Sequence, residues 1–141
     1  MGKNHLDKIK VVPLKIIKSQ SGKIMHVLKK NHLKNWNFNE AYFSTIKFNK
    51  IRAWKYHLKM TLNLVVPKGK VKFVFYYKNK NVFKTIVIGE KKYSRLVVPP
   101  KVWFGFKGIS KPESIILNLA NCKHDPKEIL RCKKNKIQFN W

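Results

Sequence analysis

The stretch MTLNLVVPKGKVKFVFYYKNKNVFKTIVI, residues 60–88, decides the fold class. Met60 to Val66 and Val71 to Tyr77 are short runs dominated by β-branched and aromatic residues, as strands are. Pro67-Lys68-Gly69-Lys70 separates them with Pro and Gly placed for a hairpin-like turn. Asn79-Lys80-Asn81 is a second turn signal and leads into Val82 to Ile88. The same texture continues outward. Val11 to Ile17 is apolar and β-branched around Pro13, and Ile24 to Leu28 is another short run. Ala41 to Phe48 comes to alternate apolar with polar, as a half-buried strand does. Leu96-Val97-Val98 runs into Pro99-Pro100, which removes ladder donors and ends or edges a strand. Val102 to Phe106 and Ser114 to Ala120 complete the set. Eight or nine short strands joined by turn residues predict an all-β sandwich or small barrel.

The chain has 141 residues, which suits one domain with one core. Hydrophobic residues make up 44%, enough to exclude the disordered class despite the charge. No apolar run approaches the ~18 residues of a membrane span. The start, Met1-Gly2-Lys3-Asn4-His5, has no apolar signal core, so a cytoplasmic protein without a membrane partner is expected. Residues 1–9 are expected to be disordered. Cys122 and Cys132 make no disulfide framework. The net charge is +26, from 32 Lys and Arg against 6 Asp and Glu. Such a surplus points first to a polyanion. Yet it is spread evenly, with a surplus of 14 in residues 1–70 and 12 in residues 71–141, and only Arg52, Arg95 and Arg131 are arginines. Sequence-reading nucleic-acid proteins favour Arg, so the charge reads mainly as background composition without a specific nucleic-acid partner.

Near the end, Asp125-Pro126-Lys127-Glu128 has the form of a helix start, with a capping carboxylate, Pro at the first position and Glu at the third. A short helix over residues 126–132 is predicted. His124 and Asp125 then belong to a turn and a cap.

Four stretches taken in order resemble the sugar-nucleotide cupins. Ala41-Tyr42-Phe43-Ser44, followed by Ile51-Arg52-Ala53-Trp54-Lys55-Tyr56-His57, is similar to their entry strand and Arg-Gly-x-His region. Val65 to Val71 sits at their strand, Gly turn and next strand. Leu96 to Phe106 is similar to their Ile-Pro-Pro-Gly-x-x-His-Gly-Phe segment. Asn118 to Glu128 and the closing Trp141 resemble the C-terminal part of the dTDP-4-dehydrorhamnose 3,5-epimerases. The dTDP-sugar 3,4-ketoisomerases share the short length and an Arg-Gly-x-His-x-His stretch. The resemblance implies a jelly-roll barrel of short antiparallel strands, a homodimer, and a barrel pocket for a nucleoside-diphosphate 4-keto-6-deoxy sugar in surface polysaccharide precursor synthesis. It implies no metal or other cofactor. The chemistry would be proton abstraction beside a ketone, with a base, a group that steadies the enolate and an acid.

The chain departs from the epimerase pattern at several positions. The catalytic His falls at Lys55, a His falls at Phe104, and the catalytic Tyr falls near Leu117. The Asp that would orient the His has no counterpart in the tail Lys133 to Trp141. Arg52 matches a substrate-binding Arg, and His57 matches the second His of the ketoisomerases. Lys55 and His57 are two apart, so on a strand they share a face. His57, with an ordinary pKa near ~6.5, suits a base at neutral pH, and a neighbouring Lys⁺ would hold it neutral. Lys55 is a candidate for enolate stabilisation or for the base itself. Tyr42 and Tyr76 are the candidate acids. Arg52 suits a diphosphate because its planar fork binds two oxygens. Tyr42, Trp103, Asn63 and Asn118 are the further candidates for binding substrate.

The sequence also fits two other readings: a cupin that binds sugar nucleotides without turnover, and a small basic barrel that binds nucleic acid. Metal chemistry fits poorly, because Lys55 takes the first His position of a metal cupin and no Glu occurs between Glu40 and Glu90.

Overall fold

The computed structural model describes residues 4–32 and 36–141. Its strands are β1 (Lys10–Pro13), β2 (Ile16–Ser19), β3 (Gly22–Met25), β4 (Glu40–Lys47), β5 (Ile51–His57), β6 (Leu62–Lys68), β7 (Lys70–Tyr77), β8 (Val82–Gly89), β9 (Ser94–Val98), β10 (Trp103–Gly108), β11 (Glu113–Ala120) and β12 (Ile129–Arg131). Two five-stranded antiparallel sheets, β1-β9-β6-β11-β4 and β12-β5-β10-β7-β8, face each other, and β2 and β3 form a separate hairpin. This is the all-β barrel architecture expected from the strand pattern, with more strands than the eight or nine read from sequence. Pro13 ends β1, so the run Val11 to Ile17 divides into two strands.

The sheets share one apolar core. Leu62, Leu64, Val66, Leu96, Val98 and Ile116 from the first sheet meet Val71, Phe73, Phe75, Ile86, Ile88, Phe104 and Phe106 from the second. Leu6 and Ile9 join this core, at 3% and 4% exposure. Of residues 1–9, expected to be disordered, 1–3 lie outside the described residues, and 4–9 are docked: Asn4 accepts from the Leu6 N–H and starts a 3₁₀ turn over His5–Lys8. Two buried apolar anchors outweigh the polar residues between them.

Two local readings are corrected. Pro67 to Lys70 is not a hairpin. β6 already has β9 and β11 as neighbours, so β7 passes into the opposite sheet and the turn is a corner. Gly69, at φ +85°, makes the corner possible; a Cβ there would stand 2.3 Å from Ser114 Oγ. Ser114 Oγ in turn accepts from Lys70 N–H and donates to Lys70 O. Asn79 to Asn81, by contrast, does close a hairpin, between β7 and β8.

The predicted helix over residues 126–132 is also absent. Its start signal is used, since Asp125 Oδ1 accepts from Lys127 N–H, but the turn stops at Glu128. Ile129–Arg131 instead pairs with the free edge of β5, Ile129 opposite His57 and Arg131 opposite Lys55. Three residues of sheet pairing, a non-local gain, override a local helix cap.

Candidate active site

The barrel interior changes character at one end. There β4 and β11 of one sheet and β5, β10 and β12 of the other enclose a cavity of about 200 Å³. Its floor is core: Leu62, Leu64, Phe73, Phe104, Phe106 and Ile116. Arg52, Lys55 and His57 from β5 and Arg131 from β12 supply one wall. Glu40, Tyr42 and Ser44 from β4 and Asn118 from β11 supply the other.

Strict alternation would not put Arg52 beside Lys55, because residues three apart on a regular strand face opposite ways. A β-bulge resolves this. Against β10, Lys55 lies opposite Phe104 and Ala53 opposite Gly105, which leaves Trp54 as the extra residue. The bulge resets the alternation, and Arg52, Lys55 and His57 line one cavity. Trp54 packs away from it, 1% exposed, with Nε1–H shared between Lys134 O and Ile137 O at 3.2 Å each. The Trp141 ring lies 5.3 Å from Trp54. Gly105 is required opposite the bulge, since a Cβ would meet the Ala53 Cβ at 2.6 Å and Trp141 Cη2 at 3.0 Å.

His57 is held by Glu128, whose Oε1 bonds its Nδ1. The carboxylate is 7% exposed, and its Oε2 accepts from the backbone N–H groups of Lys59 (3.1 Å) and Met60 (3.2 Å). Burial pushes the Glu128 carboxyl up, but the His57 hydrogen bond and the two backbone donors outweigh it and hold it below the usual carboxylate range. An ionised carboxylate only accepts, so Nδ1 donates and the lone pair of neutral His57 sits on Nε2. The imidazole also stacks on Phe104, centroids 5.9 Å apart. Burial lowers the Lys55 pKa, and the Arg131 and Arg52 guanidinium groups lower it further. Neither arginine is paired with a carboxylate among the described residues, and both are exposed at the mouth. On the opposite wall Asn118 Nδ2 donates to Tyr42 Oη at 3.1 Å, which leaves the Tyr42 hydroxyl proton free to point elsewhere.

Of the residues expected at the site, His57, Lys55, Arg52, Tyr42 and Asn118 come together here. Tyr76, Trp103 and Asn63 do not. Phe75 and Phe104 point into the core, so their neighbours Tyr76 and Trp103 point out of the barrel. Tyr76 donates to Asn81 Oδ1 and stacks on Phe83, while Trp103 packs on Tyr56 at 5.1 Å. Asn63 lies between the inward Leu62 and Leu64 and is buried, 2% exposed, outside the cavity lining. Sequence reasoning missed Glu128, which it assigned to a helix cap, along with Glu40 and Arg131. The resemblance places an orienting acid in the tail 133–141; Glu128 lies five residues before that segment, directly before β12. Among the described residues no group of three or more His, Cys, Asp or Glu side chains is arranged to hold a metal ion. A larger, open groove of about 740 Å³ at Gly69, Gly89 and Lys91 contains one carboxylate, Glu90, which is tied to the Gly69 N–H and to Lys23.

No protein-family model matches the chain. Over 132 residues it is 25% identical to the probable low-salt glycan biosynthesis epimerase of Haloferax volcanii, covering 86% of this chain and 82% of that protein. It superposes on the dTDP sugar isomerase of Desulfovibrio desulfuricans with a TM-score of 0.88 and 26% identity, covering 96% of this chain and 91% of the other. It superposes on the dTDP-4-dehydrorhamnose 3,5-epimerase of Bacillus anthracis, solved with TDP and pyrophosphate bound, with a TM-score of 0.82. There the identity is 14%, a likeness of fold alone, over 99% of this chain and 87% of the other. In sequence and in fold the chain resembles the sugar-nucleotide cupins, the jelly-roll group of dTDP-sugar isomerases and epimerases.

Proposed function

We propose that the protein is an epimerase or isomerase of a nucleotide-linked 4-keto-6-deoxy sugar, acting in the synthesis of glycan precursors. The observation that carries this reading is His57, held from behind by Glu128, in the wall of a cavity that also bears Lys55, Arg52 and Arg131. A carbon acid beside a ketone needs a neutral base and a cation where negative charge develops. His57 Nε2 takes the C3 proton, and Glu128 holds the ring and stabilises the imidazolium. The Lys55 ammonium stabilises the enolate oxygen at C4, and its lowered pKa eases proton donation to that oxygen. Arg52 and Arg131 hold the diphosphate at the mouth. The apolar floor receives the C6 methyl group.

Tyr42 is the acid this geometry favours. It lies on β4, in the sheet facing the one that carries His57, and Asn118 fixes its oxygen. A proton taken from one side of the sugar and returned from the other inverts the carbon, so epimerisation at C3 is the favoured outcome. Tyr76, the other candidate acid, lies outside the cavity. Nucleotide sugars are made in the cytoplasm, and that location goes with the reading. The protein acts as a homodimer in this account. Phe38 and Phe43, 59% and 69% exposed beside the edge strand β4, support a covered surface there.

The test is incubation of the protein with dTDP-4-keto-6-deoxyglucose in D₂O, followed by NMR. Deuterium at C3 with inverted configuration, or at C4 with the ketone moved to C3, supports the reading. A sugar recovered without deuterium at C3 or C4, at protein concentrations that bind dTDP, refutes it.

A further inference from the structure

Two oxygens in the cavity wall have nothing to accept. Glu40 Oε2 and Asn118 Oδ1 are buried and have no hydrogen-bond partner among the described residues. Asn118 is 2% exposed, and its amide is anchored through Nδ2 on Tyr42 Oη. The two residues stand on adjacent strands, where Ala120 pairs with Glu40 and Asn118 with Tyr42, and both line the cavity. The other buried polar side-chain atoms left without a partner in the described part belong to Trp36, Tyr93 and Arg95, none of which lines it.

A buried acceptor without a donor is costly, and natural structures rarely keep one without a use. Here two lie on one wall, across from a wall that carries the donors Arg52, Lys55 and Arg131. Glu40 repels phosphate, so the diphosphate belongs with the arginines. What this wall fits is the neutral O–H donor. On a 4-keto-6-deoxyhexose the free hydroxyls are those at C2 and C3, next to the carbon that reacts.

We propose that Glu40 and Asn118 bind the 2- and 3-hydroxyls of the hexose and set the selectivity for it. The inference rests on the sugar-nucleotide reading above. It divides the site into a nucleotide part, held by Arg52 and Arg131, and a hydroxyl-reading part on β4 and β11. A site that hydrogen-bonds a ligand hydroxyl rejects the analogue without it, because its own buried acceptor is then left unpaired.

Calorimetric titration with dTDP, dTDP-glucose and the 2-deoxy and 3-deoxy forms of dTDP-glucose tests this. The native protein should bind at least one deoxy form about ten- to a hundredfold more weakly than dTDP-glucose. Glu40→Gln and Asn118→Ala should weaken dTDP-glucose by a similar factor, lose the discrimination against a deoxy form, and leave dTDP affinity unchanged. Retained dTDP binding also shows that each variant is folded; if a variant fails to fold, the deoxy series on the native protein decides. Equal affinity of the native protein for all three sugar nucleotides overturns the inference, as does a parallel loss of dTDP binding in the variants. A native protein that binds no dTDP contradicts the sugar-nucleotide reading, and the inference falls with it.

Discussion

In the proposed reaction His57 works as a base only because of what holds it. Glu128 accepts the hydrogen bond of the Nδ1–H group and is itself fixed by two backbone N–H groups, so the ring presents Nε2 to the cavity in one orientation. Glu128→Gln keeps the shape but removes the charge, and kcat should fall more than KM changes. Stability should change with it, and in a pH-dependent way. The folded-state pKa of Glu128 lies below its ordinary value, so its contribution is fully present above the carboxylate range, near pH ~4.3, and is lost as pH falls through the folded value. Denaturant unfolding should show the native protein more stable than Glu128→Gln at pH 7 and the gap closing in acid; a gap that widens in acid would refute the assignment. Lys55 is the complementary case. Its pKa is depressed, so the alkaline limb of kcat should lie below the ordinary lysine value. Lys55→Arg should move that limb upward and lower kcat, as a group that keeps charge but gives no proton does. Much of this residue level was legible. The resemblance to the sugar-nucleotide cupins marked Arg52, Lys55 and His57, with the Lys-x-His spacing placing the last two on one strand face. Tyr76 and Trp103 were misplaced because β7 and β10 both carry large rings on both faces, Phe73 and Phe75 against Tyr76, Phe104 and Phe106 against Trp103, so residue type does not say which face is the cavity. Glu128 was missed because Asp125-Pro126 before it is a good cap and its partner lies 71 positions away.

The elements that decide the site are the bulge in β5 and the three-residue β12. Neither is visible in local sequence. The bulge exists because Gly105 on β10 leaves room and the tail around Trp141 covers Trp54, both contributions from distant chain. Gly105→Ala should therefore overpack this spot and cost about 1–3 kcal/mol of stability. It should also lower activity by disturbing the shared face of Arg52 and Lys55; a melting temperature and rate equal to the native protein's would contradict the role given to the bulge. The strands themselves were legible where alternation was plain, as in β4 and β11. The turn at Pro67 to Lys70 was legible as a turn, but its partner strand was not, because pairing depends on which edges are already taken.

Across the whole molecule the surplus of 26 positive charges has two parts. Most of it is lysine spread over the outside, while Arg52, Lys55 and Arg131 converge on one cavity. Only the second part should matter to a diphosphate at ordinary salt, since exposed charges more than a Debye length away are screened. Arg131→Glu should weaken dTDP binding at least tenfold in titration, and Lys18→Glu, on the exposed β2 strand, should leave it within twofold. An equal effect of the two would mean that the overall field binds the ligand. The same division runs through the interior, apolar under β7, β8 and β9 and polar between β4 and β5. That polar end is where the function lies in this account. The most direct measurement is the rate of deuterium entry at C3 of dTDP-4-keto-6-deoxyglucose in D₂O for the native protein and for His57→Ala. With dTDP binding retained, the variant should exchange about 10²- to 10⁴-fold more slowly. Exchange at the native rate would contradict the account.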